Sequence, residues 1–468
     1  MTGGILMEFD AVMLARIQFA FTIAFHIIFP SFTIGLSAWI ATLLVIWRRT
    51  GAEHYRDLAR FWTKIFAVSF GMGVVSGIVM SYEFGTNWSH FSHVVGNVVG
   101  PLIGYEVLTA FFLEATFLGI LLFGWNRVPP GLHVLSAILV AVGTLFSAFW
   151  ILSANSWMQY PTGHVMENGI ALPGDWIEIV FSPTFPVRFF HMVFAAYITT
   201  AFVVIATGAR YLLQGIHREH ALTMLRMGLG LAVVLVPLQI IAGDESGRDV
   251  ARYQPEKLAA LEGKWEAGMD GPVPLVLFAL PDEAEERNLY EFSVPYLGSL
   301  FVTRSWDGGF EGLKAFAPDD RPPVLIPFFT FRAMVGIGVV MLVLAFWGGI
   351  IWSRGRLEQS RFYLRLASWS WPLGFLAVLC GWFVAEVGRQ PWVATGILRT
   401  ADAASPISAA QVATTLILFV IVYGIVFSAG LIYINRLIRK GPVEEPAPEG
   451  LPSRPLTAAT NAGPTSGG

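Results

Sequence analysis

Charge is scarce in this chain. Asp, Glu, Lys and Arg make up 13% of its 468 residues, about half of the ~25% usual in soluble globular proteins. With 55% hydrophobic residues and a mean hydropathy of +0.61, it reads as an integral membrane protein. Cysteine is nearly absent. The single Cys380, inside an apolar run, excludes an internal disulfide, a four-cysteine iron–sulfur site and a Cys-x-x-Cys-His haem attachment. A net charge of −3 offers no basic footprint for nucleic acid. No basic segment precedes the first apolar run, which argues against a cleaved leader; Met1 and Met7 both stand open as starts.

What is present is a series of long apolar runs. A hydrocarbon core of ~30 Å needs about 20 apolar residues of helix, and nine stretches qualify. They are roughly Ile17–Trp47, Phe61–Tyr82, Leu102–Gly124, Leu132–Ala154, Phe189–Leu213, Met224–Ala242, Ile326–Trp352, Leu366–Val387 and Val412–Asn435. The fold class expected is all-α: nine transmembrane helices in a bundle. The first run is over-long and holds Pro30, so a kink or tilt is expected. Lys and Arg alternate from one connection to the next: dense after the first run (Arg48, Arg49, Arg56, Arg60, Lys64) and absent from Gly85–Gly100. By the positive-inside rule the N-terminus is outside and the C-terminus cytoplasmic. Residues 1–242 then hold six spans, 243–325 an outer loop too long for a mere joint, 326–440 three spans, and 441–468 a Pro/Gly/Ala/Thr tail expected to be disordered.

Ionisable groups at membrane depth are costly and seldom idle. Of nine histidines only His26 and His191 lie well inside spans, with His133 at the edge of one. A haem–copper centre or a bis-histidine dihaem cytochrome needs more intramembrane imidazoles than these two. His191 enters its span at a depth near that of Met334, and imidazole with thioether is a low-spin haem pair. Met in an apolar span is more often filler; the neighbouring cation Arg332, able to meet a haem propionate, raises its interest. Glu106 and Glu114 lie in one span, the second about two turns deeper, and read as structural acids or as a proton relay. Glu386 and Arg389 lie one turn apart in Gly381–Trp392, GWFVAEVGRQPW. In the outer loop Lys257 and Glu262 are five residues apart; they read either as a solvated ion-pair face or as an aqueous couple that orients a substrate oxygen and takes up a proton.

Eight strings, in order, carry a resemblance: RIQFAFTIAFHIIF (Arg16–Phe29), FGTNWSHFSHVVG (Phe84–Gly96), EVLTAFFLEATFLG (Glu106–Gly119), FWILSANSWMQYP (Phe149–Pro161), GDESG (Gly243–Gly247), KLAALEGKWE (Lys257–Glu266), FTFRAMVG (Phe329–Gly336) and GWFVAEVGRQPW. From about Arg16 to Lys440 the chain resembles subunit I of cytochrome bd-type quinol oxidases. The resemblance implies a respiratory terminal oxidase of the bacterial cytoplasmic membrane. It would oxidise quinol at the outer face, reduce O2 to water, take protons from the cytoplasm, and generate a proton motive force without pumping.

The resemblance also implies three non-covalent haems. His191 and Met334 would ligate low-spin haem b. His26 and Glu386 would ligate the two high-spin haems, b and d, with the pairing left open and leaning to His26 for haem d. Glu106 and Glu114 match the acids of proton delivery, Arg332 and Arg389 cations near the haems, Trp382 an aromatic beside them, and Lys257 and Glu262 the quinol-oxidising residues. The implied partners are subunit II and a small single-helix accessory subunit, with membrane quinol and O2 as substrates. Two departures stand out. The segment between Arg304 and Pro327 is short, like the short-loop, cyanide-insensitive branch, where a haem b can stand in for haem d. Glu83 stands where a Gln is expected in many relatives. The competing readings are a membrane haem b electron-transfer protein, with His26 and Glu386 structural, and a haem-free transporter.

Overall fold

The computed structural model describes residues 10–442; Met7 and the tail from residue 443 lie outside the described residues. The long helices are α1 (Ala11–Thr50), α2 (Glu53–Thr86), α3 (Ser89–Glu106) continued through a π turn at Val107–Phe111 into α4 (Phe112–Phe123), and α5 (Pro130–Gln159). After short α6 (Trp176–Val180) come α7 (Phe185–Gln214), α8 (Arg218–Tyr253), α9 (Pro255–Glu262) and α10 (Leu297–Thr303). The chain closes with α11 (Leu325–Ser353), α12 (Arg361–Ser368), α13 (Pro372–Val387) and α14 (Ala409–Lys440). Among the described residues eight helical stretches are long and apolar enough to cross a membrane, and α12–α13, bent by 42°, makes a ninth. Eight of the nine expected spans are thus present as single helices, and the ninth is the bent α12–α13 pair when that pair is counted as one span.

Local chemistry marks the helix ends. Asp10 caps α1 by accepting from the Met13 amide at 2.6 Å, and Gly51, at φ 69°, closes it after Arg48 and Arg49. Those two cations sit where the helix dipole favours them. A Ser408/Gln411 capping box starts α14 and Arg439 and Lys440 end it. Helix α1 continues as one helix across Pro30. It packs against α2, α5, α7, α13 and α14 and so forms the axis of the bundle. Lipid is as apolar as a helix face, so packing relies on close approach and buried polar bonds. Gly35 supplies the approach to α7: a Cβ there would meet Thr200 Oγ1 at 2.4 Å, and that hydroxyl donates to the Phe32 carbonyl at 2.9 Å.

Two boundaries differ most from expectation. Helix α3 begins at Ser89, so His90 and His93, read as lying in a connection, sit on its first turns. Helix α8 continues to Tyr253, carrying GDESG as helix. In both places hydropathy fell before the helix ended, because backbone hydrogen bonding does not stop where apolar side chains do.

The long connection is folded. It contains α9, an antiparallel hairpin of Leu275–Asp282 with Arg287–Val294, and α10. Its core is Ala259, Ala260, Trp265, Val276, Ala279, Leu313 and Val324, closed by Phe328 of α11. Arg399 holds its far edge, donating to the Asp319 carbonyl at 2.6 Å and to Asp320 at 2.5 Å.

Candidate functional site

Glu386 ends α13, and four groups from three elements converge on it. Its Oε1 accepts from Asn155 Nδ2 at 2.9 Å and Gln159 Nε2 at 3.3 Å, both on α5. Its Oε2 accepts from Arg389. Arg188 of α7 donates to Asn155 Oδ1 and so lies behind that amide. The three bonds fill both lone pairs of Oε1 and one of Oε2. One lone pair remains, directed by a fixed shell, as a metal ligand requires. Buried Arg389 also keeps Nε and Nη1 without a partner, two donors suited to a ligand carboxylate such as a propionate.

Lys257 joins this centre from the loop. Its Nζ donates to Gln159 Oε1 at 3.0 Å, the Ala385 carbonyl at 2.9 Å and Gln254 Oε1 at 3.4 Å. It is 3% exposed, so the expectation of an aqueous couple is corrected. Burial, then the charge of Arg188, pull its ammonium down to about 7. Glu262 is also buried, with Oε2 unpartnered. Burial raises its carboxyl, and the charge of Arg332 opposes that. The two residues are not a pair. Lys257 belongs to the Glu386 network and Glu262 to the Arg332 side of α9.

Arg332 is engaged by backbone carbonyls of the loop and of its own helix. Its Nε donates to the Val276 carbonyl at 2.8 Å, and Nη1 to those of Leu261 and Phe328 at 2.7 and 3.0 Å. The guanidinium lies 3.4 Å from the centroid of the Phe328 ring. The cation thus locks the loop onto α11. Trp382, also on α13, packs its ring against Phe383 at 5.2 Å.

His26 faces α2. Its Nδ1 lies 3.0 Å from Ser76 Oγ. The single Ser76 hydroxyl proton is already directed at the Met72 and Gly73 carbonyls, at 3.0 and 2.9 Å. An imidazole that donates from Nδ1 to Ser76 would present a bare Nε2, the tautomer a metal needs. Gly77 lies against the ring; a Cβ there would sit 3.2 Å from Cε1.

His191 on α7 meets Gln239 of α8. The amide nitrogen stands 3.3 Å from both ring nitrogens. Gly243, one turn on, again clears the ring at 3.2 Å. Met334 on α11 is met by Gly381 of α13, where a Cβ would lie 3.0 Å from Sδ. Helix α7 packs on α8 and α13, and α11 on α8 and α13, so both residues lie in one four-helix group. His26, His191 and Met334 are each flanked by a residue with no Cβ: Gly77, Gly243 and Gly381. These residues fit bulky planar groups such as haems.

Glu106 and Glu114 flank the π turn and both face α5. Glu106 Oε1 accepts from Ser147 at 2.7 Å. Glu114 packs on Gly143, whose added Cβ would come within 2.7 Å of its Cγ. Gly143 and Ser147 are one turn apart, so the acids share one face of α5. Eight residues of plain α-helix would leave them about 80° apart; the wider π turn reduces that angle. Glu83 is buried, accepts from Thr22 Oγ1 at 2.7 Å, and leaves Oε2 without a partner.

Asn155, Gln159, Arg188, Ser76, Ser147 and Gln239 were not among the site residues expected from sequence. Asn155 and Gln159 carried a signal: two amides one turn apart at the end of an apolar run.

The family model described as cytochrome bd terminal oxidase subunit I matches residues 14–442. The chain belongs to this family. It is 35% identical to the cytochrome bd-II ubiquinol oxidase subunit 1 of Escherichia coli (strain K12), over 92% of this chain and 97% of that protein. It is 36% identical to the cytochrome bd ubiquinol oxidase subunit 1 of Bacillus subtilis (strain 168), over 92% and 94%. The bd oxidase structure from Geobacillus thermodenitrificans superposes with a TM-score of 0.85 at 32% identity, covering 92% of this chain and 99% of that one. The bd-type family expected from the eight strings is thus the family found.

Proposed function

We propose that this chain is the catalytic subunit of a respiratory quinol:oxygen oxidoreductase. The observation that carries the reading is the Glu386 centre: a buried carboxylate with one uncommitted lone pair, joined through Gln159 to Lys257 in the folded outer loop. Its neighbours in the family are named quinol oxidases. His26 and Glu386 would hold the two high-spin haems, and His191 with Met334 the low-spin haem b. When bound, these groups carry electrons and bind and reduce O2.

The chain's own residues handle protons and positions. A quinol gives up two protons with its two electrons. Lys257, brought down to about 7 by burial and the charge of Arg188, can accept one as a neutral amine. Glu262 Oε2, unpartnered in the fold, can take the other. Arg332 holds the segment bearing both onto α11. Glu114 and Glu106, aligned along α5 by the π turn, would pass protons outward from the cytoplasmic side. Proton release outside and uptake from inside make the reaction electrogenic without a pump. The Lys and Arg bias supports that orientation, with the N-terminus outside and the membrane being the bacterial cytoplasmic one.

Between Arg304 and the start of α11 at Leu325 there are only two single 3-10 turns, which supports the short-loop branch, where haem b can take the haem d position. Large apolar side chains remain exposed along α11 and α14, supporting helical neighbours such as subunit II and a single-helix accessory subunit besides lipid. The deciding experiment is a reduced-minus-oxidised spectrum of the purified complex with haem extraction. Three haems support the oxidase, and a chlorin-type red band decides between haem d and a third haem b. One haem returns the chain to electron transfer, and none to transport.

A further inference from the structure

Gln159 is the last residue of α5, fully buried, and every hydrogen-bonding atom of its amide is used. Its Oε1 accepts from Lys257 Nζ at 3.0 Å and from Gln254 Nε2 at 3.1 Å. Its Nε2 donates to Glu386 Oε1 at 3.3 Å and to the Ala385 carbonyl at 3.1 Å. Only one orientation of the amide satisfies this set. Turned over, its NH2 would face an ammonium and its carbonyl a carboxylate. Its backbone carbonyl accepts from Gln254 Nε2 at 3.1 Å as well. The side chain is therefore fixed at both ends, with a cation of the outer loop on one side and the span's carboxylate on the other. The carbonyl of Ala385 repeats the link, because Lys257 and Gln159 both donate to it. A core glutamine that merely plugged a gap would not need to bridge opposite charges on two separate elements.

We propose that Gln159 is a positioning residue that couples the quinol-side Lys257 to Glu386. The amide bond dipole runs from the ammonium to the carboxylate. A change of position or charge at Lys257 alters how strongly Gln159 donates to Glu386 Oε1, and hence how much electron density the other carboxylate oxygen keeps for a metal. Loop events at Lys257 are thereby felt at the ligand with no direct Lys257–Glu386 bond. The inference rests on the reading of Glu386 as a haem ligand.

The test is a double-mutant cycle read as midpoint potential, by redox titration of the purified haem-loaded complex with soluble mediators and no turnover. Glu386→Gln comes first. If no haem band is lost or shifted, the ligand reading itself fails, whatever Gln159 does. If a band changes, Lys257→Met is compared in the wild-type and Gln159→Leu backgrounds. The expected result is a lowered potential for that haem in wild type, reduced to less than half the shift in Gln159→Leu. An equal shift in both backgrounds, or no shift in wild type, overturns the coupling. Should Gln159→Leu not accumulate, Gln159→Met, unbranched and of the same length, takes its place. A purely structural Gln159 would lower haem content and thermal stability and leave the Lys257-dependent shift in the recovered protein intact.

Discussion

Replacing Lys257 by Met tests the buried-amine account of quinol oxidation. Three acceptors surround Nζ, yet burial and the charge of Arg188 bring the group from 10.5 down to about 7. At 1.36 kcal/mol per unit, that gap is on the order of 5 kcal/mol. Because the folded value lies below the unfolded one, the whole penalty is felt below about pH 7 and is relieved as pH rises toward 10.5. Two outcomes are expected. The kcat/KM for quinol rises with unit slope up to about pH 7 and then levels, as the neutral amine becomes available. In Lys257→Met that limb disappears along with most of the activity. Second, in detergent melts, the Tm of wild type minus that of Lys257→Met increases from pH 7 upward. Steady-state oxygen uptake and thermal unfolding at several pH values measure both. A limb near 7 that survives unchanged in Lys257→Met would refute the reasoning.

Gly243→Val places atoms against the His191 ring, which a bare Cβ already meets at 3.2 Å. Loss of the low-spin haem band is expected with the other bands kept, since a helix interior does not itself need this glycine. Ser76→Ala frees the Nδ1 proton of His26, and weakening of that haem's retention by 10–100-fold is expected in chelator-free dialysis followed by haem extraction. Arg332→Leu removes charge-assisted bonds to three loop and helix carbonyls, costing on the order of 3 kcal/mol. Limited proteolysis within residues 254–324 should speed up and the KM for quinol rise, whereas unchanged cleavage would argue against the locking role. Gly143→Val displaces Glu114 and should lower turnover with all haem bands intact; full turnover would remove Glu114 from the relay.

The nine spans were readable from sequence because each must bury its own backbone bonds in a continuous apolar helix, a constraint written residue by residue. The family was readable too, because strings such as GWFVAEVGRQPW keep their order along the spans. Depth placed His191 and Met334 at comparable levels for the same reason: one residue of helix is ~1.5 Å. Helix ends at Ser89 and Tyr253 were not readable, since hydropathy falls before the hydrogen-bond ladder does. The fates of the loop charges were not readable either. Lys257 and Glu262 look solvated in a polar connection. Only the packing of α9 against α8 and α11 buries them, turning one toward Gln159 and the other toward Arg332. That the folded loop brings the carbonyls of Val276 and Leu261 onto Arg332 was not readable either. The Glu386 shell is the clearest case. Its donors come from positions 155, 159 and 389, and the cation behind them from 188. No local rule relates residues so far apart, so their convergence is a property of how α5, α7 and α13 pack. Sequence determined which groups enter the membrane; tertiary structure decided which of them meet.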